Sequence, residues 1–215
     1  MKRTLFILVL SILFAGTSFA QVKFGITTGL NISSFSESGS DAEVYNYIAG
    51  LQGGLVVDFN ITENFSVIPE ILFSQLGAYQ LYEEERNSKN TYSYYWILNY
   101  LQVPLNFAYK INVGSSHKFT LFAGPYAGYL LSAQYKVESD IDGAKKTEKE
   151  EDIKIGSGEN EVKALDFGIN AGIGFQFGNG IFIKTQYNLG LNNLSNNSNS
   201  TLKNKNVAIT IGYYF

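Results

Sequence analysis

Residues Leu165 to Leu191 read LDFGINAGIGFQFGNGIFIKTQYNLGL. Leu165, Phe167, Ile169, Ala171, Ile173, Phe175 and Phe177 alternate strictly with Asp166, Gly168, Asn170, Gly172, Gly174, Gln176 and Gly178. A side-chain period of two belongs to a β-strand. After Gly178-Asn179-Gly180 the alternation resumes, with Ile181, Ile183, Thr185, Tyr187, Leu189 and Leu191 on one face and Phe182, Lys184, Gln186, Asn188 and Gly190 on the other. Two long strands around an Asn-Gly turn make a β-hairpin.

The broad face of this hairpin is apolar and the other is small or polar. A transmembrane barrel turns the first towards lipid and fits the second inside a narrow cylinder, which favours glycine and self-satisfying polar groups. Each arm reaches the roughly 9–11 residues that a tilted strand needs to cross a bilayer.

The rest of the chain repeats the unit. Val22, Phe24, Ile26, Thr28, Leu30 and Ile32 alternate with Lys23, Gly25, Thr27, Gly29 and Asn31 in the first predicted strand. The second runs from about Tyr47 to Phe59, with Gln52 and Asp58 inward, and a turn at Asn60 to Asn64 leads to FSVIPEILFSQLG, with Ser66, Ile68, Glu70, Leu72 and Ser74 inward. The fourth spans about Tyr95 to Lys110, with Gln102, Pro104, Asn106 and Ala108 inward, and the fifth is KFTLFAGPYAGYLLSAQ. Pro104 and Pro125 cannot donate to a ladder, so a bulge or local widening is predicted there. The opening hairpin supplies the sixth and seventh strands and NVAITIGYYF the eighth.

The fold class is therefore all-β, an eight-stranded antiparallel up-and-down transmembrane β-barrel occupying residues 21–215. Ser34 to Asn46, Tyr79 to Tyr94, the charged stretch Gln134 to Lys163 and Asn192 to Lys205 read as loops, the charged one as solvated and mobile. All four follow odd-numbered strands and share one mouth, with short turns at the other. That asymmetry marks bacterial outer-membrane barrels.

Composition agrees. Lys2 and Arg3, the apolar run Leu5 to Leu13 and the small residues before Gln21 read as a cleaved signal peptide, residues 1–20, cut between Ala20 and Gln21. Without it, 14 basic and 19 acidic side chains remain, a net charge of −5. That balance argues against a nucleic-acid partner. No cysteine is present to form a disulfide or carry a lipid.

At the level of motifs, PEILFSQLGA (Pro69 to Ala78), YLQVPLNFAYK (Tyr100 to Lys110), LFAGPYAGYLLS (Leu121 to Ser132), LDFGINAGIGFQF, QYNLGLNN and the terminal GYYF resemble the PorT-like outer-membrane β-barrel family. Glu70, Pro104, Gly124-Pro125 and Asp166 stand where members usually carry those residues. The resemblance covers essentially all of the chain after the leader. It implies an integral, porin-like barrel in the bacterial outer membrane, exported through the periplasm, and does not carry across the secretion role of the family's namesake. Phe215 resembles the terminal signal read by the outer-membrane insertion machinery.

The inward charges Lys23, Asp58, Glu70, Asp166 and Lys184 are the candidate site. A charge inside a narrow barrel must be paired or hydrated, so they are expected to form an internal network with Gln52, Gln102, Asn106, Asn170, Gln176, Gln186 and Asn188. An eight-stranded interior is just wide enough for side chains to fill it, which favours a plugged barrel over a conducting one. His117 beside Ser115 and Ser116 is the one histidine, and its place in a short turn gives no reason to expect catalysis. No cofactor is expected, and neither is a metal centre. Tyr45, Tyr47, Tyr92, Tyr94, Tyr95, Tyr129, Tyr135, Tyr213 and Tyr214 are expected in interfacial girdles.

Two functional readings follow. In the first, a structural or interaction barrel works through long outward loops that contact outer-membrane lipid, lipopolysaccharide or another envelope protein. In the second, the barrel is a narrow channel or is associated with transport. A soluble, lipocalin-like barrel would need the apolar face inside.

Overall fold

Alternating strands with one apolar face leave no open edge in lipid only if the sheet closes on itself. The computed structural model shows that closure. It describes residues 22–39, 43–83, 90–141, 143–158, 161–197 and 199–215, so the leader and its cut lie outside the described residues. Its strands are β1 (Val22–Gly39), β2 (Asn46–Asn60), β3 (Phe65–Glu83), β4 (Asn90–Val113), β5 (His117–Ile141), β6 (Ala144–Asp152), β7 (Leu165–Gln176), β8 (Ile181–Gly190) and β9 (Ser200–Tyr214). All neighbours are antiparallel, in the order β4-β3-β2-β1-β9-β8-β7-β5, with β4 pairing β5 to close the ring. Eight strands form the wall, and all of the inner turns are short.

The outward set meets lipid as expected. Phe24, Ile26, Leu30, Leu51, Leu55, Phe107, Ile169, Ile209 and Ile211 are exposed around the ring, while Thr27, Asn31, Gln52, Asn106, Asn188 and Thr210 are buried inside. Gly180 closes the β7–β8 turn at φ 91, in the left-handed region that glycine enters without strain.

The charged stretch corrects the sequence reading. It is not a loop throughout, because β5 continues to Ile141 and β6 returns alongside it, a ninth strand outside the barrel ring. β5 thus uses one edge twice, pairing β7 from Lys118 to Tyr129 and β6 from Gln134 to Ile141. β6 has no apolar face of its own and is held by its ladder to β5. Lys136 bonds Glu138 at 2.6 Å, Lys149 bonds Glu151 at 2.9 Å, and the Ser139 hydroxyl donates to Glu148 at 2.8 Å. Composition suggested solvation, and a solvated ladder satisfies it equally well.

Other strands also outrun their expected ends. β1 reaches Gly39, β3 reaches Glu83, β4 begins at Asn90 and β9 at Ser200. Polar composition hid these segments because they stand beyond the lipid belt, where neither face need be apolar. The prolines interrupt the ladder without shifting it: β4 and β5 keep one register across Pro104↔Tyr126 and Phe107↔Ala123, with the pairs between them skipped. The bulge in β5 is instead at Leu131, between Asn99↔Ser132 and Tyr100↔Leu130. It switches the inward side from Tyr126, Gly128 and Leu130 to Ala133, Val137 and Ser139.

Candidate functional site: a packed polar interior beneath an outward wall

The inner end of the barrel is filled by Val56, Ile68, Ala108, Phe122, Phe182 and Tyr214. Two ion pairs interleave with this cluster. Lys184 Nζ bonds both oxygens of Glu70, at 2.6 Å to Oε2, and Asn106 Nδ2 donates to Glu70 Oε1 at 3.2 Å. Lys110 bonds Asp58 and also donates to Asn60 Oδ1 at 2.8 Å. These groups surround a cavity of about 40 Å³. Both pairs lie on β-strand faces fixed by period two, so their meeting depends on how the ring is sheared.

The expected residues fall into three groups. Glu70 and Lys184 do meet, and Asp58 is fully buried in an ion pair. Its partner is Lys110 and not Lys23, although Lys23 faces Asp58 across β1 and β2 and is half-buried. Asp166 stands apart from the ion pairs. Its Oδ2 accepts from Tyr126 OH at 3.3 Å and from Asn204 Nδ2 at 2.9 Å, with no cation bonded to it among the described residues. Asn204 also donates to Tyr100 OH at 3.2 Å.

Lys110 and Asn204 are the residues that sequence reasoning missed. The parity of Gln102, Asn106 and Ala108 places Lys110 inward, at the very end of the predicted strand. Asn204 falls within the predicted amide-rich loop.

Amides bridge the middle layer. Gln52 Nε2 donates to Thr210 Oγ1 at 2.8 Å, Gln186 Nε2 to Asn188 Oδ1 at 2.8 Å, and Asn206 Nδ2 to Asn31 Oδ1 at 2.9 Å. Gln102 and Asn170 are buried and Gln176 is half-buried. Tyr126 lies over Gly168, where a Cβ would fall 2.3 Å from the ring. A glycine facing each bulky ring lets the cylinder fill.

The outer end is packed as well. Phe35, Leu76, Ala78, Leu98, Tyr100, Leu130 and Ala133 form an apolar cluster, with Tyr45, Trp96, Ile153, Val162 and Leu202 packed on it. The segments after β6 and β8 tie this cover down. Ile153 N donates to Ala133 O at 2.8 Å, Leu130 N to Ala164 O at 2.7 Å and Lys163 N to Leu194 O at 3.0 Å, and Leu194 is fully buried.

The tyrosines divide differently from expectation. Tyr47, Tyr129 and Tyr213 are outward and exposed, whereas Tyr214 is buried inside and Tyr45 packs on the outer cluster. Tyr45 is held well above the ordinary phenol range by burial and then by Glu37. His117 opens β5 with its ring 5.8 Å from Phe175 and 6.0 Å from Phe177. Phe215 is exposed, and its N donates to Phe24 O at 2.8 Å.

Among solved structures, the chain is similar to Ail, the attachment invasion locus protein of Yersinia pestis, at 15% identity, covering 90% of this chain and 98% of Ail with a TM-score of 0.40. It is also similar to the neisserial surface protein A at 9% identity, with 89% and 97% covered and a TM-score of 0.42. The N-terminal β-barrel domain of Pseudomonas aeruginosa OprF shares 11% identity over 89% and 97%, with a TM-score of 0.33. No curated protein matches. A family model described as the outer membrane protein beta-barrel domain matches residues 19–196. With a closed ring of lipid-facing strands and a family match across most of its length, the chain belongs to the outer membrane protein beta-barrel domain family and is an integral protein of the bacterial outer membrane.

Proposed function

We propose that this protein is a closed barrel, without enzymatic activity, that anchors an outward-facing interaction surface. One observation carries the reading: the described interior is filled at both ends, by Phe122, Phe182 and Tyr214 with the Glu70–Lys184 pair at the short turns, and by Phe35, Leu98 and Leu130 under Ile153 at the outer mouth. A buried pair bonded this closely opposes ion passage, since parting it exposes two charges in a low-dielectric interior. The β3–β6 wall, the segments covering the mouth and the surrounding outer-membrane lipid and lipopolysaccharide then form the working surface. Phe215 serves as the signal for the insertion machinery. The PorT-like resemblance of the Pro69 to Ala78 and Leu121 to Ser132 segments belongs to the same proposal at family level.

Conductance in planar bilayers tests it. The folded barrel is expected to stay silent across the voltage range. Steady unitary currents that change with Lys184→Met would replace this reading with that of a narrow channel.

A further inference from the structure

The wall formed by β3, β4, β5 and β6 stands beyond the lipid belt, and its barrel-facing side changes character with height. Strand register sets Ala78, Trp96, Tyr135 and Glu151 in one row across the four strands. One row towards the membrane, Leu98 and Ala133 are sealed beneath Ile153. One row away from it, Tyr94 stacks on Tyr135 at 6.1 Å.

The middle row is left open. Trp96 and Tyr135 lie 5.4 Å apart, both partly exposed, and line a concavity of about 440 Å³. Its other charged lining residues are Glu151, Asp152, Glu161 and Lys154, three acids against one base. The acids are lightly engaged. Glu151 shares an exposed pair with Lys149 at 2.9 Å, Asp152 accepts from Gln134 at 3.5 Å, and Glu161 accepts from Gly158 N at 2.8 Å. Exposed pairs of this kind exchange at small free-energy cost.

Ring faces and carboxylates attract the same kind of group. An ammonium or guanidinium over an indole gains from the ring quadrupole, and its long aliphatic stem covers apolar surface. An anion meets three acids, and a neutral sugar gains only the rings. The chain already uses this chemistry where Lys205 Nζ sits 5.5 Å over the Tyr47 ring. Partly buried aromatics inside a charged rim are also where interfaces concentrate their energy.

We propose that this shelf docks a basic polypeptide segment, a lysine or arginine side chain lying over Trp96 and Tyr135 with Glu151 and Glu161 beside it. The inference rests on the reading of a closed barrel that works through its outward surface, and it names the chemistry of the partner.

Trp96 is the one tryptophan in the sequence, so intrinsic emission reports directly from the shelf. The folded barrel in zwitterionic micelles is titrated with hexalysine, hexaglutamate and maltohexaose. Hexalysine alone is expected to change the emission saturably. The variant combining Glu151→Gln, Asp152→Asn and Glu161→Gln should bind it about tenfold more weakly, as loss of the negative charge along the shelf implies. Glu63→Gln, in a turn at the far end, should leave binding unchanged, and Tyr135→Leu should weaken it with every charge in place.

No saturable change with hexalysine, equal binding by the triple variant, or an equal response to hexaglutamate or maltohexaose would overturn the proposal. Heat-modifiable gel mobility confirms that each variant is folded. If the triple variant does not fold, the wild-type titration at rising salt decides, because binding that ignores salt contradicts a cationic dock. Conductance of the same preparation reads the closed barrel separately. A conducting barrel that binds hexalysine at Trp96 keeps the dock and overturns the closure, and a silent barrel indifferent to hexalysine does the reverse.

Discussion

Lys184 on β8 reaches Glu70 on β3, a contact between residues 114 apart in sequence, with Nζ 2.6 Å from Oε2 and both side chains withdrawn from solvent. Removing one partner strands a buried charge. Glu70→Ala is expected to destabilise the barrel by about 3–5 kcal/mol, whereas Glu70→Leu combined with Lys184→Met should fall within about 1–2 kcal/mol of wild type. Urea unfolding in micelles, followed by gel mobility, compares them. Equal stability of Glu70→Ala and wild type would show that the pair is dispensable.

Asp166 poses the opposite case, a buried carboxylate bonded to Tyr126 and Asn204 and to no cation among the described residues. Asp166→Asn removes the charge at nearly constant shape and should leave stability unchanged or raise it. Asn204→Leu keeps the charge and removes a donor, costing about 1–3 kcal/mol. The same unfolding assay ranks the two variants, and a marked loss with Asp166→Asn would mean that the negative charge itself holds the site.

The two glycines at positions 168 and 174 share a strand and differ in their surroundings. A Cβ at Gly168 would lie 2.3 Å from the Tyr126 ring and from Leu189 O, whereas at Gly174 nothing comes closer than 3.4 Å. Gly168→Ala should cost about 1–3 kcal/mol by overpacking, and Gly174→Ala should be nearly neutral. Refolding yield into micelles checks the order, and equal yields would show that Tyr126 and the Leu189 backbone give way.

Outside the membrane, the Glu148 carboxyl is held below the usual carboxylate range by the Ser139 hydroxyl first and Lys146 second. A carboxylate shifted down in the folded state adds stability above its unfolded value and loses it as pH falls through the folded one. The β5–β6 hairpin should therefore open more readily on acidification below the ordinary glutamate range, and Ser139→Ala should flatten that response. Amide exchange across residues 134–152, corrected for intrinsic rates, measures it. An identical pH profile for the two proteins would remove Glu148 from the account.

Strand faces were legible wherever lipid forced one side to be apolar. The alternation of Leu165 to Phe177 and of Val22 to Ile32 states its own orientation, and Glu70 and Lys184 are both buried. What the alternation does not contain is which inward residues meet, since that follows from shear around the ring. Hence the alternation places Asp58 among five inward charges without assigning it a partner, and its bond to Lys110 spans from β2 to β4. Above the lipid the constraint vanishes. Lys145 to Asp152 form a strand with every residue exposed, so no periodicity of hydrophobicity marked it.

The handover on β5, from β7 below to β6 above, has an evolutionary consequence. Pairing of β5 with β7 ends at Tyr129, and past Gln134 β5 rises between β4 and β6. Residues can be gained or lost in matched pairs at the Ala144 end without altering a contact in the bilayer. A lineage could thus rewrite its outward wall repeatedly, under pressure from whatever it meets, while inheriting the spanning cylinder unchanged.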